Sequence, residues 1–362
     1  DFKNYLVPGK TGLLIGIGGV SMSPLAEVLH DAGLDIRGSD MAESSNTLTL
    51  RERGIPIHIG HSADNVTDDI SFVIRTAAVH DDNPEVHEAH RRGIPVFERT
   101  QAWGALMRGY QNALCISGTH GKTTTTSMCT HIMMAAEKDP TVMIGGTLPL
   151  LKACHRVGKG NTIIMESCEY YNSFLALNPT IAVVLNIEAD HLDFFKDLED
   201  IKHSFRCFAE RVPAETGTVI ANYDDANTMD ALRGIARKVI TFGLNAKADV
   251  YAQNIVHRGS VSEFDIYHRG NYFARVTLHV PGIHNVRNAL AATAAAIVLG
   301  VSPNAVKYGL AGFEGAGRRF DFKGKFQGAD LYDDYAHHPS ELRALLDAVD
   351  TLNYQRTIVV FQ

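Results

Sequence analysis

The chain has 362 residues, of which 45% are hydrophobic and 21% charged, with a formal net charge of −7. That is the make-up of a soluble globular protein too long for one core, so two or three domains are expected. The acidic balance and the lack of a basic stripe argue against a nucleic-acid binder that works by charge, and no apolar run reaches the roughly 20 residues of a membrane span. The five cysteines (Cys115, Cys129, Cys154, Cys168, Cys207) are odd in number and form no CxxC pair, which argues against a disulfide framework or a structural zinc site. Asp1-Phe2-Lys3-Asn4 does not read as a signal peptide, so a reducing cytoplasm is the expected setting. Oligomeric state leaves no mark in the sequence.

Residues 1–109 alternate strand and helix. Leu13-Leu14-Ile15 reads as a strand, Gly16-Ile17-Gly18-Gly19 as a tight turn, and Pro24 to Ala32 as a helix with proline in its first turn. A strand from Asp35 to Gly38 leads to Asp40. A glycine turn followed by an acid about 20 residues on is the logic of a nucleotide-binding half. Ser21 stands where a third glycine of the dinucleotide fingerprint belongs, and any doubly wound domain could carry the same turn. Strands near Ile55–Ile59 and Phe72–Arg75 and helices near Pro84–Arg92 and Thr100–Arg108 continue a parallel sheet. Thr76-Ala77-Ala78-Val79 follows a strand, where ligands of open α/β sheets bind. Arg99, ahead of a helix, suits either a phosphate or the surface.

Residues 110–316 open on Ala113-Leu114-Cys115-Ile116, a buried strand, then Gly118-Thr119-His120-Gly121-Lys122-Thr123-Thr124, then a helix expected from Ser127 to Ala136. Strand, glycine turn, lysine, hydroxyl and helix make a phosphate cradle: backbone amides approach the anion and the helix N-terminus adds positive potential. Lys122 would reach the outer phosphates and Thr123 would place a hydroxyl on Mg²⁺. Ile116 stands where the usual P-loop has its first glycine. Three more apolar strands end at Gly145-Gly146, at Glu166 and near Asn186–His191. Glu166 and His191 therefore belong to the same sheet edge as the loop, where an acid orients Mg²⁺. A helix over Asp197–Val212 and strands at Thr218–Asn222 and Val239–Phe242 follow. Strands at Val250–Val256, Glu263–Tyr267 and Asn271–His279 alternate as an antiparallel sheet. Asn285 and Asn288 share one face of an alanine-rich helix and carry the donors and acceptors that an adenine edge requires.

Residues 317–362 contain Gly317-Arg318-Arg319-Phe320, two guanidiniums suited to phosphate, then Asp333-Asp334-Tyr335-Ala336-His337-His338-Pro339 after a strand, a helix near Ser340, and a strand at Ile358–Phe361. The segment is short for a well-buried α/β domain, so it is expected either to be incomplete or to pack on the rest of the chain.

Taken together, these motifs resemble the Mur ligase family. They are G-I-G-G-V-S-M-S at 16–23, G-T-H-G-K-T-T-T-T at 118–126, E-S-C-E-Y-Y-N at 166–172, N-I-E-A-D-H-L-D at 186–193, H-N-V-R-N-A at 284–289, G-R-R-F at 317–320 and D-D-Y-A-H-H-P at 333–339. The resemblance implies an α/β fold of three domains: a Rossmann-like UDP-sugar domain (1–109), a central ATPase with a parallel sheet and a small antiparallel one (110–316), and a partial Rossmann-like C-terminal domain (317–362). It implies ATP and Mg²⁺, with a substrate carboxylate phosphorylated and then attacked by an amine. The motif set is most similar to members that add L-alanine to UDP-N-acetylmuramate, and the glycine-rich first segment resembles those and the tripeptide-recycling members more than the rest of the family. Members that recycle a tripeptide, a nucleotide-binding relative without ligase activity, and, from Gly16–Gly19 alone, a dehydrogenase are the other readings.

By the same resemblance, Lys122 and Thr123 meet ATP phosphates and Mg²⁺, with Gly118, Thr119, His120, Gly121 and Thr124 in the loop. Glu166 and His191 complete the metal site. Asn285 and Asn288 contact adenine, Arg319 and Asp334 close over ATP, and His337 lies near the incoming amine. Gly16, Gly18, Gly19, Asp40 and Thr76 hold the UDP end. Arg206 stands at or near the place of a carbamylated lysine in sister ligases, which implies Mg²⁺ held without a carbamate.

Overall fold

In the computed structural model, residues 1–76, 78–317 and 319–361 are described. Ala77 and Arg318, both named in the motifs above, and Gln362 lie outside them. The chain divides into two compact units: residues 1–110 with 176–178, and residues 111–175 with 179–362.

In the first unit the elements run β1 (Thr11–Ile15), α1 (Ser23–Asp31), β2 (Asp35–Asp40), α2 (Ser45–Glu52), β3 (Ile57–Ile59), β4 (Ile70–Arg75), α3 (Pro84–Arg91), β5 (Val96–Glu98) and α4 (Arg99–Met107). The strands form one parallel sheet in the order β3-β2-β1-β4-β5. Every residue of β1 is buried, as a near-continuous apolar run in a doubly covered sheet requires. Strand order reverses beside β1, so the glycine turn after it opens at the switch point of the sheet. Two elements are absent from the sequence expectations. Helix α2 is polar, buries only Thr47 and Leu50, and is held by a capping box between Ser44 and Thr47. Strand β5 has three residues at the sheet edge.

The second unit holds β6 (Asn112–Ser117), α5 (Lys122–Ala135), β7 (Thr141–Leu148), β8 (Ala153–Arg156), β9 (Thr162–Glu166), β10 (Ile181–Val184), α6 (Leu198–Glu210), β11 (Thr218–Asn222), α7 (Ala226–Ala231), β12 (Lys238–Gly243), β13 (Val250–Arg258), β14 (Val261–His268), β15 (Asn271–Leu278), α8 (Ile283–Val298), α9 (Pro303–Ala311), β16 (Asp321–Phe326), β17 (Ala329–Asp333) and α10 (Pro339–Asp350). Ten strands make one sheet, ordered β15-β14-β13-β12-β11-β10-β6-β9-β7-β8. The antiparallel strands are not a separate layer. They continue the parallel sheet through Phe242 opposite Val250 and Gly243 opposite Tyr251. The core joins strand residues such as Leu114, Ile116, Ile164 and Val183 to Met128 and Ile132 of α5 and to the alanine face of α8.

Helix α5 begins five residues earlier than expected, at Lys122. Gly121 takes a left-handed backbone, φ 83°, immediately before it, so the turn closes within the motif and Lys122 and Thr123 become the first helical residues. The buried hydroxyls of Thr126, Ser127 and Thr130 each donate to the carbonyl four residues back, which is how a threonine-rich helix satisfies its polar groups. After residue 316 come the hairpin β16–β17 and α10. The run Ile358–Phe361 is not a strand. Its side chains are exposed, and among the described residues no neighbouring strand offers it a ladder of hydrogen bonds.

Helices α5 and α9 meet through Gly309, where a Cβ would lie 2.5 Å from the Cα of Ile132. Gly309→Leu should therefore cost about 1–3 kcal/mol of stability through overpacking, read as a lower denaturation midpoint. An unchanged midpoint would contradict this packing.

Candidate functional site

The site is assembled by strand order. Strand β6 lies between β10 and β9, all three parallel, so their carboxyl ends reach one sheet edge. Ile116 pairs with Glu166 and Ser117 with Val184. The loop after β6 thus starts beside Glu166 on one side and the segment after β10 on the other. That segment clamps the loop. Asn186 accepts the His120 amide at 2.8 Å and returns a hydrogen bond to the His120 carbonyl at 3.1 Å, while the Thr119 hydroxyl accepts the Glu188 amide at 2.9 Å. Glycine is required at two points. At Gly118, φ 145°, a Cβ would meet Leu185 at 2.8 Å, and at Gly121 it would meet Asn288 Oδ1 at 2.6 Å.

Lys122 Nζ donates to the carbonyls of Gly118 and Thr119 at 2.6 and 3.1 Å and pairs with Glu169 Oε2 at 3.1 Å. Burial works against its charge, but Glu169, with smaller help from Cys168 and Glu166, outweighs it and holds the ammonium above its ordinary value. The far side of Glu169 faces His191 Nε2 at 3.8 Å. Thr123 Oγ1 donates to Glu166 Oε1 at 3.0 Å, and the other oxygen of Glu166 accepts the Gly145 amide at 2.6 Å. A Cβ at Gly145 would strike that carboxylate at 2.5 Å. Thr123 and Glu166 therefore present adjacent hard oxygens, a donor pair that fits Mg²⁺. His191 sits on a left-handed backbone with its ring stacked on Tyr170 at 4.4 Å.

A cavity of about 360 Å³ adjoins the loop, within the range of small-molecule sites. His120, Gly121, Thr124, Asn285, Asn288, Arg319 and Asp334 all line it. Asn285 and Asn288 are buried; Asn285 Nδ2 donates to the Pro281 carbonyl at 2.7 Å, and Asn288 Nδ2 to Asn285 Oδ1 at 3.3 Å. Asp334 accepts the amides of Phe320 and Ala336 at 2.7 and 2.8 Å, so it shapes the turn that carries Arg319. Burial raises its pKa. The Arg319 guanidinium lies over the Tyr335 ring at 5.6 Å. His337 does not line this cavity; it is exposed beside the Tyr335 carbonyl. Arg206 bonds the carbonyls of Ala231 and Arg233.

The first unit has its own groove, lined by Gly16, Gly18, Gly19, Asp40 and Thr76. Asp40 Oδ2 accepts the Gly18 amide at 2.8 Å, which explains why an acid follows the glycine turn. Arg99 bonds the Ser21 hydroxyl.

Sequence reasoning missed Glu169, although it lies in a motif already singled out; its distance of three residues from Glu166 gives no periodic signal. It also missed the residues of α10 that meet the loop. His120 Nδ1 lies 3.2 Å from Glu341 Oε1, and Arg319 lies 3.6 Å from the same oxygen. Burial opposes the charged His120 ring, yet Glu341 and then Glu188 raise its pKa. Burial likewise opposes the Glu341 charge, but His120 and then Arg319 bring that carboxyl down to about 2.

The signs define a window. The His120 contribution is complete below the ordinary histidine value of 6.5 and is lost as pH rises through its raised value. The Glu341 contribution is complete above 4.5 and is lost as pH falls through about 2. Protection of the α10 first turn in hydrogen exchange, corrected for intrinsic rates, should peak between these limits. Glu341→Gln should reduce it roughly tenfold or more, as expected for a charge-assisted bond of about 1.5–3 kcal/mol. A flat pH profile would contradict the contact.

Comparison with known proteins gives three family matches in order along the chain: residues 14–111 to the Mur ligase family catalytic domain, 116–296 to the Mur ligase middle domain and 318–362 to the Mur ligase glutamate ligase domain. The UDP-N-acetylmuramate–L-alanine ligase of Agathobacter rectalis is 46% identical over 349 residues, covering 96% of this chain and 76% of that relative. Among solved structures, the UDP-N-acetylmuramate-alanine ligase of Thermotoga maritima superposes with a TM-score of 0.78 at 31% identity, covering 94% of this chain and 78% of that one. The UDP-N-acetylmuramate:L-alanyl-γ-D-glutamyl-meso-diaminopimelate ligase of Neisseria meningitides gives 0.76 at 26% identity, covering 85% of this chain and 99% of that one. With all three family segments matched in order and 46% identity to a member over 96% of the chain, the chain belongs to the Mur ligase family.

Proposed function

We propose that this chain is an ATP-dependent ligase that joins L-alanine to the carboxylate of UDP-N-acetylmuramate through an acyl phosphate, in the synthesis of peptidoglycan precursors. The observation that carries the reading is the loop around Lys122, held beside Thr123–Glu166 and opening on the cavity lined by Asn285, Asn288 and Arg319. The identity to the Agathobacter rectalis ligase supports the choice of substrates. We assign residues 1–109 to the UDP-sugar, with Gly16, Gly18, Gly19, Asp40 and Thr76 at its UDP end, residues 110–316 to ATP, and residues 317–362 to the C-terminal domain. The reaction belongs in the cytoplasm, where ATP and reduced thiols are maintained.

A carboxylate is a poor acyl donor until one oxygen becomes a good leaving group. Phosphoryl transfer supplies that, and it depends mainly on position and on neutralised charge. In our reading, Lys122 exchanges its loop carbonyls for phosphate oxygens while Glu169 keeps it protonated. The free amides at the start of α5 and the loop residues Gly118, Thr119, His120, Gly121 and Thr124 cradle the phosphates. Thr123, Glu166 and His191 would hold Mg²⁺, which when bound neutralises charge on the phosphates. Asn285 and Asn288 meet the adenine, and Arg319, positioned by Asp334, faces the same cavity. The amine of L-alanine then attacks the acyl carbon and phosphate leaves.

Incubation with ATP, Mg²⁺, UDP-N-acetylmuramate and L-alanine should release phosphate. Release only when a tripeptide replaces L-alanine would transfer the assignment to the recycling ligases; nucleotide binding without any release would mark a relative that has lost ligation. Lys122→Ala should lower turnover by roughly 10²–10³-fold or more. Glu169→Gln should also lower it, and unchanged turnover in both variants would contradict the assigned phosphate site.

A further inference from the structure

A second group of donors, chemically unlike Thr123 and Glu166, meets at the other side of the phosphate loop. His120 comes from the loop, Glu188 from the segment after β10, and His338 is the N-cap of α10. His120 Nε2 lies 3.4 Å from Glu188 Oε2, and His338 Nδ1 lies 3.6 Å from the same oxygen. The three donor atoms all fall within 4.8 Å of one another. The Ser340 hydroxyl stands among them, 3.0 Å from His120 Nε2, 2.8 Å from Glu188 Oε2 and 2.7 Å from His338 Nδ1. One atom at that point therefore touches all three.

Two imidazole nitrogens and one carboxylate make a zinc donor set; Mg²⁺ prefers oxygen alone. In a tetrahedral site with bonds of roughly 2.0–2.2 Å, donors stand roughly 3.4 Å apart. Two of the three pairs are already at that spacing; rotation of Ser340 to another rotamer withdraws its hydroxyl from the centre, and His338 Nδ1 must also release the Ser340 amide that it accepts at 3.3 Å. The other nitrogen of His120, Nδ1, faces Glu341 Oε1 at 3.2 Å. A carboxylate behind a ligating imidazole fixes its tautomer and raises its basicity. The outer support of a metal site is thus already built.

We propose that His120, Glu188 and His338 bind a divalent cation of the zinc class, which ties the start of α10 to the phosphate loop. The three ligands come from three segments far apart in sequence, so the cation acts as a cross-link rather than as part of the phosphoryl-transfer site. Its fourth position is open to water or to the Ser340 hydroxyl. With the C-terminal segment fastened over the loop, the cation opposes nucleotide entry; that consequence alone rests on the function proposed above.

Titration calorimetry of the whole 362-residue chain with Zn²⁺ alone tests the site. One tight equivalent is expected, weakened roughly 10- to 100-fold or more by His338→Gln and by Glu188→Gln, and retained by Glu166→Gln. Cobalt in place of zinc should give the intense visible bands of a tetrahedral site, and Zn²⁺ should slow hydrogen exchange in the first turn of α10 in the parent chain but not in His338→Gln. Zinc affinity unchanged in either His338→Gln or Glu188→Gln, loss of binding in Glu166→Gln, or the absence of a tight equivalent would overturn the proposal.

Discussion

An ammonium with only 15% of its side chain exposed needs a counter-charge, and Glu169, almost fully buried, supplies it to Lys122. Taking either charge out of water alone would be costly. As a pair, with two loop carbonyls completing the lysine's hydrogen bonds, they hold the loop in one shape. The other features of the site depend on this arrangement. Gly118 and Gly121 give the backbone its turn, Asn186 clamps it from the neighbouring strand end, and Asn288 packs so close to Gly121 that no side chain fits there.

The meeting of the 118–124 loop with Glu166 and with the segment that carries His191 was legible because parallel strands place their carboxyl ends on one edge. An apolar run followed by a functional residue was therefore enough to bring distant segments together. The position of Asp40 beside the glycine turn was legible for a similar reason: the acid at the end of the second strand accepts the amide of the turn after the first. Glu169 was not legible. It precedes a kinked stretch in which Tyr171 and Asn172 have positive φ, and no periodicity marks the direction of its side chain. Helix α2 and strand β5 were missed because one is polar and held by its cap, and the other is three residues at an edge. The strand read at Ile358–Phe361 shows the opposite error. Its apolar composition suits a strand, but a strand needs a neighbour as well as a composition.

The contacts between the loop and α10 lay beyond any local reading. His120 and Ser340 are 220 residues apart in sequence, and nothing in D-D-Y-A-H-H-P fixes which imidazole turns inward. In the fold, His338 faces Glu188 and the loop, while His337 stays exposed. Glu341 brings a negative charge to His120 and Arg319, two residues that line the cavity assigned to nucleotide. Under the proposed assignment, the C-terminal segment satisfies with a carboxylate the groups that phosphate would satisfy. This gives docking of that segment and binding at the loop a shared electrostatic basis.

The central claim is that the sugar-linked carboxylate is phosphorylated at the Lys122 loop. The most direct measurement is the fate of its oxygen: UDP-N-acetylmuramate labelled with ¹⁸O in the carboxylate, turned over with ATP, Mg²⁺ and L-alanine, with the released phosphate analysed by mass. An acyl phosphate predicts that one carboxylate oxygen passes to each phosphate released. Turnover that yields unlabelled phosphate would contradict the account.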